Sequence, residues 1–213
     1  MAIIRIYRNP WEHTVPNEAL RAILENIAMK RVDHIADQYQ NGHYSRSSLA
    51  LVILDPTAPL WRPSSETLLA AILIGPDAER FLPNAIAKAV EHRDKGILAG
   101  YGAYVDMTQT EDGDFTYGYS TQVDDTIGGA SGESEIQDAC EAGYALVSFN
   151  YHIRSFRIAW RKANPDKRWF CNEDLPRTLY TEMAAQTPLI WDSSQDAPAP
   201  SLEEALEAIR ADA

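Results

Sequence analysis

Apolar positions along this chain follow two rhythms, short unbroken runs and stripes that recur every three or four residues. After Pro16-Asn17-Glu18, the positions Leu20, Ile23, Leu24, Ile27 and Ile35 recur at helical spacing, with Arg31 and His34 in the same stripe. This predicts a long helix ending near Asn41-Gly42, where glycine suits the residue past a helix end. Ser48 to Asp55 is an unbroken apolar run closed by Pro56 and Pro59, which predicts a buried strand. Leu68 to Ile74 is a second such run, and its short length and Gly75-Pro76-Asp77 exit favour a strand. Ile3 to Tyr7 predicts a short strand ahead of the Asn9-Pro10 break.

Pro83 to Lys95 reads as a helix, with Ala85, Ile86, Ala89 and Val90 on one face. Proline stands in its first turn and Gly96 after its end. Tyr101 to Met107 and Phe115 to Val123 predict two strands joined at Glu111-Asp112-Gly113-Asp114, where Asp-Gly signals a hairpin. Thr126 to Gly132 reads as a glycine-dense turn leaving a strand. Its amides and those of the next helix are a place where an anion can sit. Glu133 to Phe149 predicts a third helix, with Ile136, Cys140, Tyr144 and Val147 sharing one apolar face.

Hairpins interrupted by helices predict an α+β fold, an antiparallel sheet with helices packed on it. Residues 1–149 are expected to form that domain. Residues 150–213 are expected to be a C-terminal extension, partly helical, packed on the domain or on a neighbouring subunit. Within it, Tyr151 to Lys162 continues the helical pattern until Asn164-Pro165-Asp166. Ser193 to Pro200 reads as a polar linker. Ser201 to Asp212 reads as a short acidic helix opened by the capping-box pattern Ser201-Leu202-Glu203-Glu204.

Composition narrows the function classes. The chain has 213 residues, 45% of them hydrophobic, and a formal net charge of −12. That charge disfavours nucleic acid as a partner, since phosphate binding needs basic surface. No apolar run is long enough to span a bilayer, and Met1 to Arg8 lacks the features of a signal peptide. A cytoplasmic protein with no membrane partner is expected. The two cysteines, Cys140 and Cys171, form neither a disulfide framework nor a zinc pattern.

Three segments carry a family resemblance. They are the strand Leu49-Ala50-Leu51-Val52-Ile53-Leu54-Asp55, the helix Asn84-Ala85-Ile86-Ala87-Lys88-Ala89, and Ile127-Gly128-Gly129-Ala130-Ser131-Gly132 with the later Ala142-Gly143. In this order, from about Pro16 to Val147, the chain resembles the GlcG-like family, which includes HbpS-type haem-binding proteins and the C-terminal domain of PduO-type proteins. It departs from that pattern where Pro56-Thr57-Ala58-Pro59 follows the strand aspartate and where Ile74-Gly75-Pro76-Asp77 precedes the second helix. The resemblance implies a profilin-like antiparallel sheet with packed helices, assembly into a homo-oligomer, and haem as cofactor.

Candidate site residues follow from that implication. His34 and His92 are candidate iron ligands, because imidazole is a common axial ligand. For His34, the competing reading is a partly buried histidine hydrogen-bonded to a neighbour. Lys88 and His92 are four apart and share a helix face with Arg93 nearby, a grouping suited to a haem propionate or a substrate carboxylate, or else to a solvated surface. Ser131 can bind an anion or act as a nucleophile, though packing of the glycines around it is the commoner use. The aspartates Asp106, Asp112, Asp114, Asp124 and Asp125 can form a hard-cation site or simply turn acids. Tyr101, Tyr104, Tyr117 and Tyr119 can line a flat aromatic ligand or pack the sheet. The basic-aromatic cluster of His152, Arg154, Arg157, Trp160, Arg161, Lys162, Lys167, Arg168 and Trp169 is best suited to a subunit contact. Three functions remain open from the residues: a haem-binding protein, an enzyme or binding protein for a small organic acid, and a non-catalytic assembly subunit.

Overall fold

The structure is a computed structural model that describes residues 1–98 and 119–166. These residues form a five-stranded antiparallel sheet and three long helices. The strands are β1 (Ala2–Ile6), β2 (Leu49–Leu54), β3 (Leu68–Ile74), β4 (Ser120–Val123) and β5 (Thr126–Ser131). The helices are α1 (Asn17–Gln40), α2 (Leu82–Leu98) and α3 (Glu135–Ala163). Strand order across the sheet is β1-β3-β2-β5-β4.

The unbroken apolar runs have a direct physical cause. β2 and β3 lie inside the sheet and are covered on both faces, so every side chain must be apolar rather than every second one. Leu49, Leu51 and Ile53 of β2 face a core shared with α1 and α3, including Leu20, Ile23, Leu24, Ile27, Leu146, Phe149 and Phe156. Ala50, Val52 and Leu54 face the opposite core, with Leu82, Ala85 and Ala89 of α2. The sheet is therefore a middle layer, with α1 and α3 on one side and α2 on the other.

The glycine segment is a strand, not a turn. β5 pairs with β2, Val52 opposite Gly129 and Ile53 opposite Gly128. The reversal comes earlier, at Asp124-Asp125 between β4 and β5, with Asp124 at φ 52°. The glycines let both helices close on β5. A Cβ on Gly129 would strike the Ala85 carbonyl oxygen of α2, and one on Gly128 would crowd Leu146 of α3 at 3.1 Å. Side chains there would force the layers apart.

Two helix readings also change. α2 runs past Gly96 to Leu98, so that glycine lies inside the helix. α3 starts at Glu135 and continues without interruption through residue 150 to Ala163. The face of α3 defined by Ile136, Cys140, Tyr144 and Val147 is the outward one, all four being exposed. The inward face carries Asp138, Glu141, Ala142, Ala145, Leu146, Phe149, His152, Phe156 and Ala159. Its two carboxylates and one imidazole disguise it as polar. Tyr101 to Met107, most of the second predicted hairpin strand, Tyr101, Tyr104, Tyr117, the aspartates from 106 to 114, and everything after Asp166 lie outside the described residues. Asp124 and Asp125 are the turn residues of the β4–β5 hairpin.

Candidate functional site

The five residues singled out by sequence separate into two places. Lys88, His92 and Arg93 stand on α2 and Ser131 at the end of β5. His34 stands on α1, on the other side of the sheet. The two alternative iron ligands therefore stand on opposite sides of the sheet.

On the α2 side, the polar groups are turned inward and satisfied. Lys88 is only 2% exposed. Its Nζ donates to the Ala130 carbonyl at 3.0 Å and to Asp138 Oδ2 at 2.7 Å. Asp138 Oδ1 accepts the Glu133 amide at 2.9 Å. Gln137 Oε1 accepts from the Ser134 amide and hydroxyl. The anion at the N-terminus of α3 is thus the protein's own carboxylate. Burial pushes the Asp138 carboxyl up to about 6, with the Lys88 ammonium pulling the other way.

His92 is buried, with Nδ1 2.6 Å from Ser120 Oγ. Arg93 is a clamp on the loop that follows β2. One terminal nitrogen donates to the Arg62 carbonyl and Ser64 Oγ, the other to the carbonyls of Ala58 and Pro59. Ser131 is buried opposite Ala50 in the β2–β5 ladder. Withdrawing Lys88 to an outside ligand would strand an ionised, buried Asp138, at a cost of about 3–5 kcal/mol. These side chains fit a structural role and do not fit the haem group.

His34 is different. Its side chain is 35% exposed, and its Nε2 lies 3.2 Å from Glu141 Oε1. Glu141 is fully buried on α3. The same Oε1 accepts the Tyr44 hydroxyl at 2.8 Å, and Oε2 accepts Arg31 at 3.3 Å. Burial, then the hydrogen bond to Glu141, push the Tyr44 phenol well above its usual range. Tyr44 and Tyr144 flank the imidazole edge-on, with ring centroids 6.0 and 6.3 Å away. The Arg31 guanidinium stacks 4.9 Å from the Tyr144 ring centre. A half-open imidazole, a cation and an aromatic ring thus converge around one buried carboxylate where α1 meets α3.

Of this group, sequence reasoning singled out only His34 as a site residue. The three-residue step from Arg31 to His34 was a usable signal, since it places both on one helix face. Glu141 was hidden because α3 was read with its faces exchanged. Among the described residues, no three His, Cys, Asp or Glu side chains gather as a protein-only metal site. No helix among them is long and apolar enough to cross a membrane. No family model, curated protein or solved structure matches the chain.

Proposed function

We propose that this chain is a cytoplasmic GlcG-like protein with a profilin-like fold that binds haem at the Arg31–His34–Tyr144 surface. The observation that carries the reading is the half-exposed His34 imidazole backed by the buried Glu141 carboxylate. A carboxylate behind a ligating histidine fixes its tautomer and raises its basicity. With Nε2 donating to Glu141, Nδ1 is the nitrogen left to meet iron. Arg31 would pair with a propionate, and Tyr144 would offer its ring to the porphyrin edge. Haem, when bound, supplies the redox and ligand-binding chemistry; these side chains hold and orient it. The helices on both faces of an antiparallel sheet, with the first and last on the same face, support the profilin-like part of the reading.

Titrating the purified full chain with haem should give a saturable Soret shift. His34→Ala should abolish or strongly weaken it, and His92→Ala should leave the band position unchanged. Absence of any Soret shift in the unmodified protein overturns the proposal. A small organic acid held without iron would use the same Arg31 and His34. It would raise the melting temperature of the chain but give no Soret band, and Arg31→Ala would remove the rise.

A further inference from the structure

The sheet has an edge that pairs with nothing among the described residues. β1 is an outermost strand, hydrogen-bonded on one side only, to β3. The Met1 carbonyl accepts the Gly75 amide at 3.2 Å, and the Tyr7 amide donates to the Leu69 carbonyl at 2.9 Å. These two bonds phase the ladder. Odd-numbered residues of β1 turn their N–H and C=O groups towards β3, while Ala2, Ile4 and Ile6 turn theirs outward. Such a row is a template for another strand. Edges are commonly guarded by proline, by a bulge or by a projecting charge. β1 has no proline, and its register with β3 runs without a bulge. Its one charge is already held, since Arg5 Nη1 and Nη2 donate to the two carboxylate oxygens of Glu79 at 2.9 and 2.7 Å. Ile3, on the same face as Arg5, is 55% exposed.

We infer that two copies of the chain associate by antiparallel pairing of β1 with β1, about a two-fold axis at Ile4, so that their sheets join into one. The residues of the strand select a second copy as the occupant. In this register every N–H and C=O group of Ala2, Ile4 and Ile6 finds a partner across the axis. On the α1 face, where Ala2, Ile4 and Ile6 pack at the margin of the larger core, Ala2 meets the partner's Ile6 and Ile4 meets the partner's Ile4. On the other face Arg5 stands opposite the partner's Ile3, so like charges do not face each other, and Glu79 neutralises each guanidinium. A slide by two residues in one direction would set Arg5 against the partner's Arg5. A slide in the other would leave Ile6 unpaired. The strand is thus complementary to itself in the register centred on Ile4. A five-residue ladder belongs among small interfaces, below about 1,200 Å², which implies a dimer that dissociates on dilution. α3 packs on β4 and β5 at the opposite edge, so the Arg31–His34–Tyr144 surface is left open. The inference does not depend on haem.

Sedimentation equilibrium of the full chain, from low to high micromolar concentration, should show a monomer in balance with a dimer. Ile3→Lys sets a cation against the partner's Arg5 on both sides of the axis. It should weaken association at least about tenfold, with the far-UV spectrum kept because Ile3 is exposed. Ile3→Glu sets the opposite charge there and should leave the dimer at least as tight. Amide exchange followed by NMR gives the location. The Ile4 and Ile6 amides should exchange slowly in the dimer and fast in the monomeric Ile3→Lys chain, while the Ile3 and Arg5 amides, bonded to β3, stay protected in both. A mass that remains that of one chain at every concentration overturns the inference. So does a dimer that tolerates Ile3→Lys, or one that the two charges weaken equally. Ile4 and Ile6 amides that exchange alike in the dimer and in the Ile3→Lys chain also overturn it, since β1 is then not the strand that a second copy covers.

Discussion

At the residue scale, the strongest constraint is the buried ion pair of Lys88 and Asp138. Both side chains are 2% exposed, so neither charge is screened by water. The folded carboxyl sits at about 6, against an ordinary 3.8. Between those two values the folded chain holds a proton that the unfolded chain has lost. This group's contribution to stability therefore falls as pH rises from about 4 to about 6, and is constant above. Lys88→Met removes the cation that makes the ionised form tolerable. Denaturant unfolding should show a loss of about 3–5 kcal/mol at pH 8. The loss should shrink as the pH falls from 8 towards about 6 and be small below it, where Asp138 is neutral with or without its partner. A loss that stays the same from pH 8 to pH 4.5 would mean the pair is not coupled in this way. The lysine was legible in the sequence as a residue of note, but its role was not. Lys88 looks like half of a surface pair with His92, and only the fold supplies the carboxylate fifty positions away.

At the element scale, the sheet was the most legible part. Unbroken apolar runs bounded by proline and glycine mark β2 and β3 to within a residue or two, because strands covered on both sides leave no room for polar positions. β5 was misread for the opposite reason. Gly128 and Gly129 have no side chains with which to show a strand pattern, and their presence resembles a turn. Their spacing requirement gives a graded prediction. Gly129→Ala should destabilise by at least about 2 kcal/mol, since its Cβ meets helix backbone that cannot move aside. Gly143→Ala, whose Cβ would meet only a Thr121 methyl at 3.5 Å, should be tolerated. Gly96→Ala, in open space within α2, should stabilise by about 0.5–1 kcal/mol. Thermal unfolding of the three variants orders them, and Gly129→Ala being no worse than Gly143→Ala would contradict the packing described here. α3 was legible as a helix but not in its orientation. A purely hydrophobic reading of periodicity turns it by half, because Asp138, Glu141 and His152 occupy inward positions while Ile136, Tyr144 and Val147 point outward.

At the scale of the whole molecule, the two cores on either side of the sheet are unequal. The larger joins α1 to α3, and it includes Phe149 and Phe156. Phe156 lies beyond residue 150, so part of what the sequence suggests is an extension is built into the principal core. Phe156→Ala should cost about 3–5 kcal/mol, as for a fully buried aromatic, and urea unfolding measures it directly. A cost near zero would show that the end of α3 is an appendage. The candidate site sits on this same interface, with His34 and Arg31 from α1 and Glu141 and Tyr144 from α3. That is why so little of it was readable: its members are over a hundred positions apart, and only the pairing of the two helices brings them together.

The bare strand β5 has a consequence for how the molecule can move. With no side chain at Gly129, nothing compressible stands between β5 and the backbone of α2. Elsewhere in the fold, leucines and isoleucines can change rotamer to absorb a small displacement. Here α2 rests on strand backbone, and the strand rests on Leu146 of α3. The contact of α2 with β5 is a hard stop rather than a cushion. α2 and β5 are thereby held as one slab, and any small adjustment of α3 is left to the Leu146 side that faces it.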